Sequence, residues 1–137
     1  MKVLVLYIDE FSYKPAQKNL ENAEEVREGK SYGDSILACI HIEKNDEDFD
    51  IKSREKKLVN HLKWVARKNN CKSVILHSFA HLSDSKASVE FTKQVFNLAE
   101  ERLQNGGYTT AQTPFGYFLD LDIKAPGHSL ARIWAAL

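Results

Sequence analysis

The stretch HSFAHLSDSK, His77 to Lys86, contains the residue types in this chain best suited to chemistry. Ser73 to Leu76 lead into it as a β-prone run, a helical pattern follows, and His81 stands at the junction with small polar residues behind it. An imidazole, with an ordinary pKa of ~6.5, can give or take a proton near neutrality. Sheets in α/β domains also hold functional groups beyond the carboxyl ends of their strands. Position alone does not decide the matter, because a histidine at a strand end is more often a cap or a packing residue.

Other candidates carry less. Asp9, just past an apolar run, could be a polar group at the same sheet edge or a turn residue. Cys39 and His41 share a strand face, but no set of nucleophile, base and orienter accompanies them. Asp120 and Asp122 lie two apart on one strand face without a third ligand nearby, so no metal is expected. His128, in APGHSLAR, reads as a loop residue beside a short helix over Leu130 to Ala136. Neither a P-loop nor a GxGxxG motif is present, and no cofactor is expected.

The elements that must position His81 follow from hydrophobic periodicity. Val3 to Ile8 is a continuous apolar run, which predicts a strand covered on both faces in the middle of a sheet. Asn19 to Lys30 is polar, a solvated helix or loop, and Ser35 to Lys44 is a second strand. Leu58, Val59, Leu62, Val65 and Ala66 recur at helical spacing from Ile51 to Lys68, with Asp50 as N-cap and Asn69-Asn70 as the stop. Lys72 to Phe79 gives a third strand. Phe91, Val95, Leu98, Ala99 and Leu103 mark a second helix ending at Gly106-Gly107. Tyr108 to Gln112 and Tyr117 to Lys124 are two more strands, and Thr113-Pro-Phe-Gly116 between them reads as a hairpin-like reversal. In YFLDLDIK, alternation puts Tyr117, Leu119, Leu121 and Ile123 on one covered face. The fold expected is a two-layer α/β domain, a mixed sheet of about five strands with two long helices on one side.

Composition agrees and sets limits. A chain of 137 residues, 43% hydrophobic and 28% charged, fits one globular domain spanning 1–137. No apolar run approaches the ~20 residues that cross a bilayer, so a cytoplasmic protein without membrane association is expected. Two cysteines without a CxxC spacing read as reduced and structural. Nineteen basic and nineteen acidic residues balance, leaving no net field to attract nucleic acid. An RNA partner would therefore be gripped over a small part, or delivered by something else.

Two motifs go further. FAHLSD (Phe79 to Asp84) and TPFGYFLDLDIKAPGHSLA (Thr113 to Ala131), separated by one amphipathic helix, resemble the N-terminal editing domain of archaeal threonyl-tRNA synthetases. The family pattern runs FAHLSS, helix, APFGYYK and KGHPLAE. LYIDEFSY (Leu6 to Tyr13) and SILACIHIEKNDE (Ser35 to Glu47) match its order more loosely. The resemblance implies a D-aminoacyl-tRNA deacylase-like fold, a homodimer, and hydrolysis of serine misattached to threonine tRNA. Its partners would be the aminoacylated 3′ end of tRNA(Thr) and the synthetase's catalytic body. A synthetic pocket cannot exclude serine well when one methyl group is worth only ~1–3 kcal/mol, so a second site must remove the error. In such a site a water attacks the ester, assisted by the terminal 2′-hydroxyl of the tRNA. By motif position, the resemblance assigns catalytic roles to His81 and Tyr117. It assigns substrate contacts to Asp9, Phe79, Ala80, Phe115, Gly116, Phe118 and Leu119.

The departures are specific. The family lysine after its second tyrosine is Leu119 here, that second tyrosine is Phe118, and the glutamate after GHPLA is Arg132. The family's His-Ser before the first aspartate is Tyr7-Ile8. A greasier pocket is expected around the same geometry. This leaves two readings, a deacylase that relies on backbone and RNA groups, or a catalytically weak relative that binds tRNA ends or dimerises. A third reading, a structural α/β domain sharing only the fold, conflicts with the two motifs.

Overall fold

A computed structural model describes residues Met1–Leu137. The chain runs β1 (Lys2–Lys18), β2 (Lys30–His41), α1 (Ile51–Lys68), β3 (Ser73–Ser78), α2 (Val89–Asn105), β4 (Thr109–Gln112), β5 (Tyr117–Lys124) and β6 (Arg132–Ala136). Six strands form one sheet of order β4-β3-β2-β1-β5, and β6 pairs with β1. The mixed α/β fold with two long helices is the one expected, with one strand more.

The apolar runs explain the middle of the sheet. Along β2, Ile36, Ala38 and Ile40 face the helices while Leu37 and Cys39 face the other way, so both sides are buried. Val74 and Leu76 of β3 likewise face the helices, and Ile75 the opposite side. Parallel pairing of β2 with β3, and of β3 with β4, requires long crossovers, which α1 and α2 provide. Both helices lie on the same face. Leu58, Leu62 and Val65 of α1 and Val95, Phe96 and Leu103 of α2 close a core of twenty buried residues there.

Three sequence expectations are corrected. β1 continues to Lys18, because its first half pairs with β6 and its second half with β5, with a bulge between Pro15 and Gln17. The Thr113–Gly116 turn makes no hairpin: β4 joins β3 at one edge and β5 joins β1 at the other. The segment leads instead across the open end of a curled sheet. The C-terminal segment contributes no helix beyond a short 3-10 turn at Ser129–Ala131, since Arg132–Ala136 pairs antiparallel with Lys2–Leu6. Asn19 to Lys30 resolves as a loop entering β2, which begins at Lys30.

The second sheet face holds a smaller cluster, Ile8, Phe11, Tyr13, Leu37, Cys39 and Ile75, against which Phe79 and Leu119 pack. The covered face expected along β5 is only partly covered. Tyr117 and Leu119 are half-buried, whereas Leu121 and Ile123 are exposed at 40% and 37%.

Candidate functional site

A cavity of about 480 Å³ opens beyond the carboxyl ends of β2 and β3. Ile40 to Ile42, His77 to His81, Lys86, Ala87, Val89, and Pro114 to Leu119 supply most of its wall. The segment from Phe79 to Ser88 leaves β3, crosses the mouth and enters α2, where the Ser88 side chain accepts the Phe91 N–H at 3.2 Å. A row of rings follows this segment. His77 and Phe79 lie 5.8 Å apart, and Phe79 meets His81 edge-on at 4.9 Å.

β2 holds this segment in place. The Phe79 N–H donates to the Ile40 carbonyl at 2.9 Å, and the Ala87 N–H to the Ile42 carbonyl at 3.0 Å. Between them stands His41, only 1% exposed. Its Nδ1 accepts the Leu82 N–H at 2.9 Å, so Nε2 carries the proton and donates to the Ser85 carbonyl at 2.6 Å. Only the neutral ring in this one tautomer satisfies both bonds. Ser83 adds a 2.6 Å bond to Glu43, whose carboxyl is held down to about 2 by the Met1 ammonium first and by Ser83 next. Sequence reasoning passed over His41 as a strand residue. Its signal was present in the buried apolar run of β2, which leaves a histidine no water and requires a polar partner.

His77 is buried too. Its Nδ1 shares a 2.8 Å hydrogen bond with the Thr113 hydroxyl, tying β3 to the segment after β4. Burial first, and the nearby His81 second, push its pKa down to about 4. It stays neutral at physiological pH and holds the cavity floor.

The Pro114–Tyr117 segment forms the opposite wall. Gly116 has φ +88°, and a Cβ there would come within 2.8 Å of the Ala23 methyl. Its carbonyl accepts the Asn19 N–H at 2.8 Å. The Tyr117 hydroxyl donates to the Glu24 carbonyl at 2.8 Å and accepts the Val26 N–H at 3.1 Å. Glycine and tyrosine of this motif thus fasten the 19–29 loop over the rim. Phe115 packs edge-on against Phe96 of α2 at 6.4 Å, and Lys93 sits over its ring.

Of the residues singled out from sequence, His81, Phe79, Ala80, Phe115, Gly116, Tyr117, Phe118 and Leu119 all line this cavity. His81 is exposed at its rim, and Phe118 is 47% exposed. Asp9 does not reach it. It lies within β1, exposed, beside Ile8, which pairs with Ser35 at the far end of the buried run of β2. Arg132 is also elsewhere, on β6, its guanidinium donating to the Pro126 carbonyl at 2.7 Å. Of the expected changes in pocket polarity, the structure therefore brings Leu119 and Phe118 to the site and leaves Arg132 out. Asp120 and Asp122 are exposed on β5, opposite Lys14 and Ser12 of β1. His128 is exposed beside the 3-10 turn. Cys39 and Cys71 are free and buried, and burial pushes the Cys39 thiol up to about 12.

Comparison with known proteins identifies the family. Threonine-tRNA ligase of Thermococcus onnurineus is 32% identical over 136 residues, and those of Pyrococcus furiosus and Methanobrevibacter smithii are each 29% identical. Each alignment covers 97% of this chain and 22% of the relative, so the chain spans about a fifth of the length of those enzymes. Among solved structures, the c-Myc DNA Unwinding Element Binding Protein matches all of the chain with a TM-score of 0.66 at 16% identity. That likeness shows the fold alone, the mixed α/β architecture described above. The family model for the archaea-specific editing domain of threonyl-tRNA synthetase matches residues 1–137 from end to end, and the chain belongs to that family.

Proposed function

We propose that this domain binds the aminoacylated 3′ end of tRNA(Thr) and hydrolyses serine wrongly attached to it. The observation that most supports this reading is the meeting of two distant segments, Phe79–His81 and Phe115–Leu119, on one cavity of about 480 Å³. That space exceeds what a small amino acid needs and suits one joined to a nucleoside. Phe79 and Ala80 wall the end that takes the amino acid, and Phe118 lies open at the rim, where its ring can stack on a base.

In the reaction, water adds to the ester carbonyl, the carbonyl carbon to ribose oxygen bond breaks, and the ribose oxygen leaves with a proton, giving free serine and uncharged tRNA. His81, within reach of solvent, is the protein group suited to orient the water or relay that proton. Positioning by the walls and assistance from the RNA's own 2′-hydroxyl carry the remainder. Tyr117 contributes through the loop it fastens, since both of its hydroxyl bonds go to the 19–29 backbone.

A second reading is favoured by Leu119, a half-buried hydrocarbon lining the cavity where a cation would assist the water. On that reading the domain recognises tRNA ends without turnover. Under either reading it works beside a synthetase catalytic body in the cytoplasm, and as a homodimer. The apolar side chains left exposed on β5 and β6, Leu121, Ile123 and Trp134, support the dimer.

The test follows ester loss from seryl-tRNA(Thr), threonyl-tRNA(Thr) and a D-aminoacyl-tRNA against buffer. Selective loss of the seryl ester is expected. Stability of all three esters together with measurable tRNA binding would establish the second reading, and Leu119→Lys would then be expected to raise deacylation.

A further inference from the structure

Twenty-one residues line the cavity and none is a carboxylate, although nineteen of the 137 residues are aspartate or glutamate. The wall has one permanent cation, Lys86. The backbone around it is fixed on both sides, by the His41 bond to the Ser85 carbonyl and by the Ala87 N–H on Ile42. Its side chain is exposed and enters none of the ion pairs or side-chain hydrogen bonds of the structure. Lys93, on α2 beside the same wall, is instead occupied by the Phe115 ring. A lysine on an anchored stem, unpaired, beside a cavity without acids, presents an open field to an anion.

The rest of the wall indicates which anion. Phe118, open at the rim, offers an aromatic face of the kind that holds a nucleobase, and a base and an anion occur together in a nucleotide. Resting on the function proposed above, we infer that Lys86 is a phosphate-contacting residue of this site. Its ligand is the phosphate that leads into the terminal nucleoside of the bound RNA. A single such contact also suits a chain whose charges sum to zero.

The experiment measures binding of 3′-serylamino-3′-deoxyadenosine, a non-hydrolysable probe, with and without a 5′-phosphate. It uses the full chain and its Lys86→Met and Lys86→Arg variants. The 5′-phosphate should tighten binding to the unaltered protein roughly three- to tenfold at low salt. Lys86→Met should erase that gain, leaving the affinity for the phosphate-free probe and the melting temperature unchanged, and Lys86→Arg should retain most of it. With single-stranded RNA ending in the same aminoacyl group, Lys86→Met should flatten the salt dependence of log K by about 0.7, the share of one phosphate contact. Equal affinity of the unaltered protein for both probes, or equal loss for both in Lys86→Met, would overturn the assignment. Failure of both probes to bind the unaltered protein would strike the proposed function itself, and this assignment with it.

Discussion

On one face of the sheet, α1 and α2 press twenty buried residues into a continuous core; on the other, only six apolar residues cluster in burial, and the cavity opens beside them. The first face is sealed by hydrocarbon. The second is held by hydrogen bonds from His41 and His77 and by the loop that Gly116 and Tyr117 fasten. Stability and recognition are therefore carried by different chemistry on opposite sides of the same strands. Groups that only the second face orders can be altered without unfolding the first.

The largest effect expected on the closed face is from Leu62→Ala. A fully buried leucine cut to alanine leaves a cavity, and chemical denaturation should show a loss of about 2 to 5 kcal/mol. Probe binding should remain unchanged below the unfolding transition. Binding that weakens as steeply as stability would break the separation of the two faces.

Acidification acts on the open face. The pKa of His77 is lowered by folding from 6.5 to about 4, so the unfolded chain takes up the proton first as pH falls. The stability tied to His77 is complete above pH 6.5 and is lost as pH drops towards 4, by roughly 3 kcal/mol in all. His61 of α1, lowered by burial, adds to the loss with the same sign. Glu43, held at about 2, contributes only below its ordinary 4.5, so the upper part of this window belongs to the histidines. Denaturation midpoints followed against pH should show a smaller slope there in His77→Asn than in the unaltered chain.

His41→Ala should cost about 1 to 3 kcal/mol, the range for buried polar groups left without partners. Its sharper signature is local. Hydrogen exchange at the Leu82 amide should accelerate well before that of the α1 amides, because the cavity segment is released while the core stays closed. Uniform acceleration across the chain would assign His41 to global stability instead.

The smallest stability change belongs to His81→Ala. As an exposed side chain at the rim, it should shift unfolding by no more than about 0.5 kcal/mol while deacylation or probe binding falls. A large stability loss with unaltered binding would move His81 into the structural framework and leave Lys86 and the backbone to hold the ligand.

Much of this was legible in the residues. Continuous apolar runs identified β2 and β3, and helical periodicity identified α1 and α2, because burial acts on every residue of those segments in turn. The position of His81 at the cavity rim was legible from its place after β3. The C-terminal segment was misread because Ala131 to Leu137 is rich in helix formers, while the open edge of β1 offers it five strand pairings. Local propensity lost to long-range hydrogen bonding. The turn at Thr113–Gly116 reads locally as a reversal, and nothing in it encodes that its two flanking strands join opposite edges of the sheet.

The sequence by itself determined the strands and helices of the closed core, the family, and the segments that make the site, since these follow from hydrophobic order and from short motifs. Tertiary structure alone decided which members of those motifs meet. It brought Leu119 and Lys86 to one cavity and left Asp9 and Arg132 outside it. It also joined the two nitrogens of His41 to a segment forty-one residues further along. The physical reason is that periodicity records how much water each residue sees, whereas a site depends on where the curl of the sheet carries segments distant in the chain.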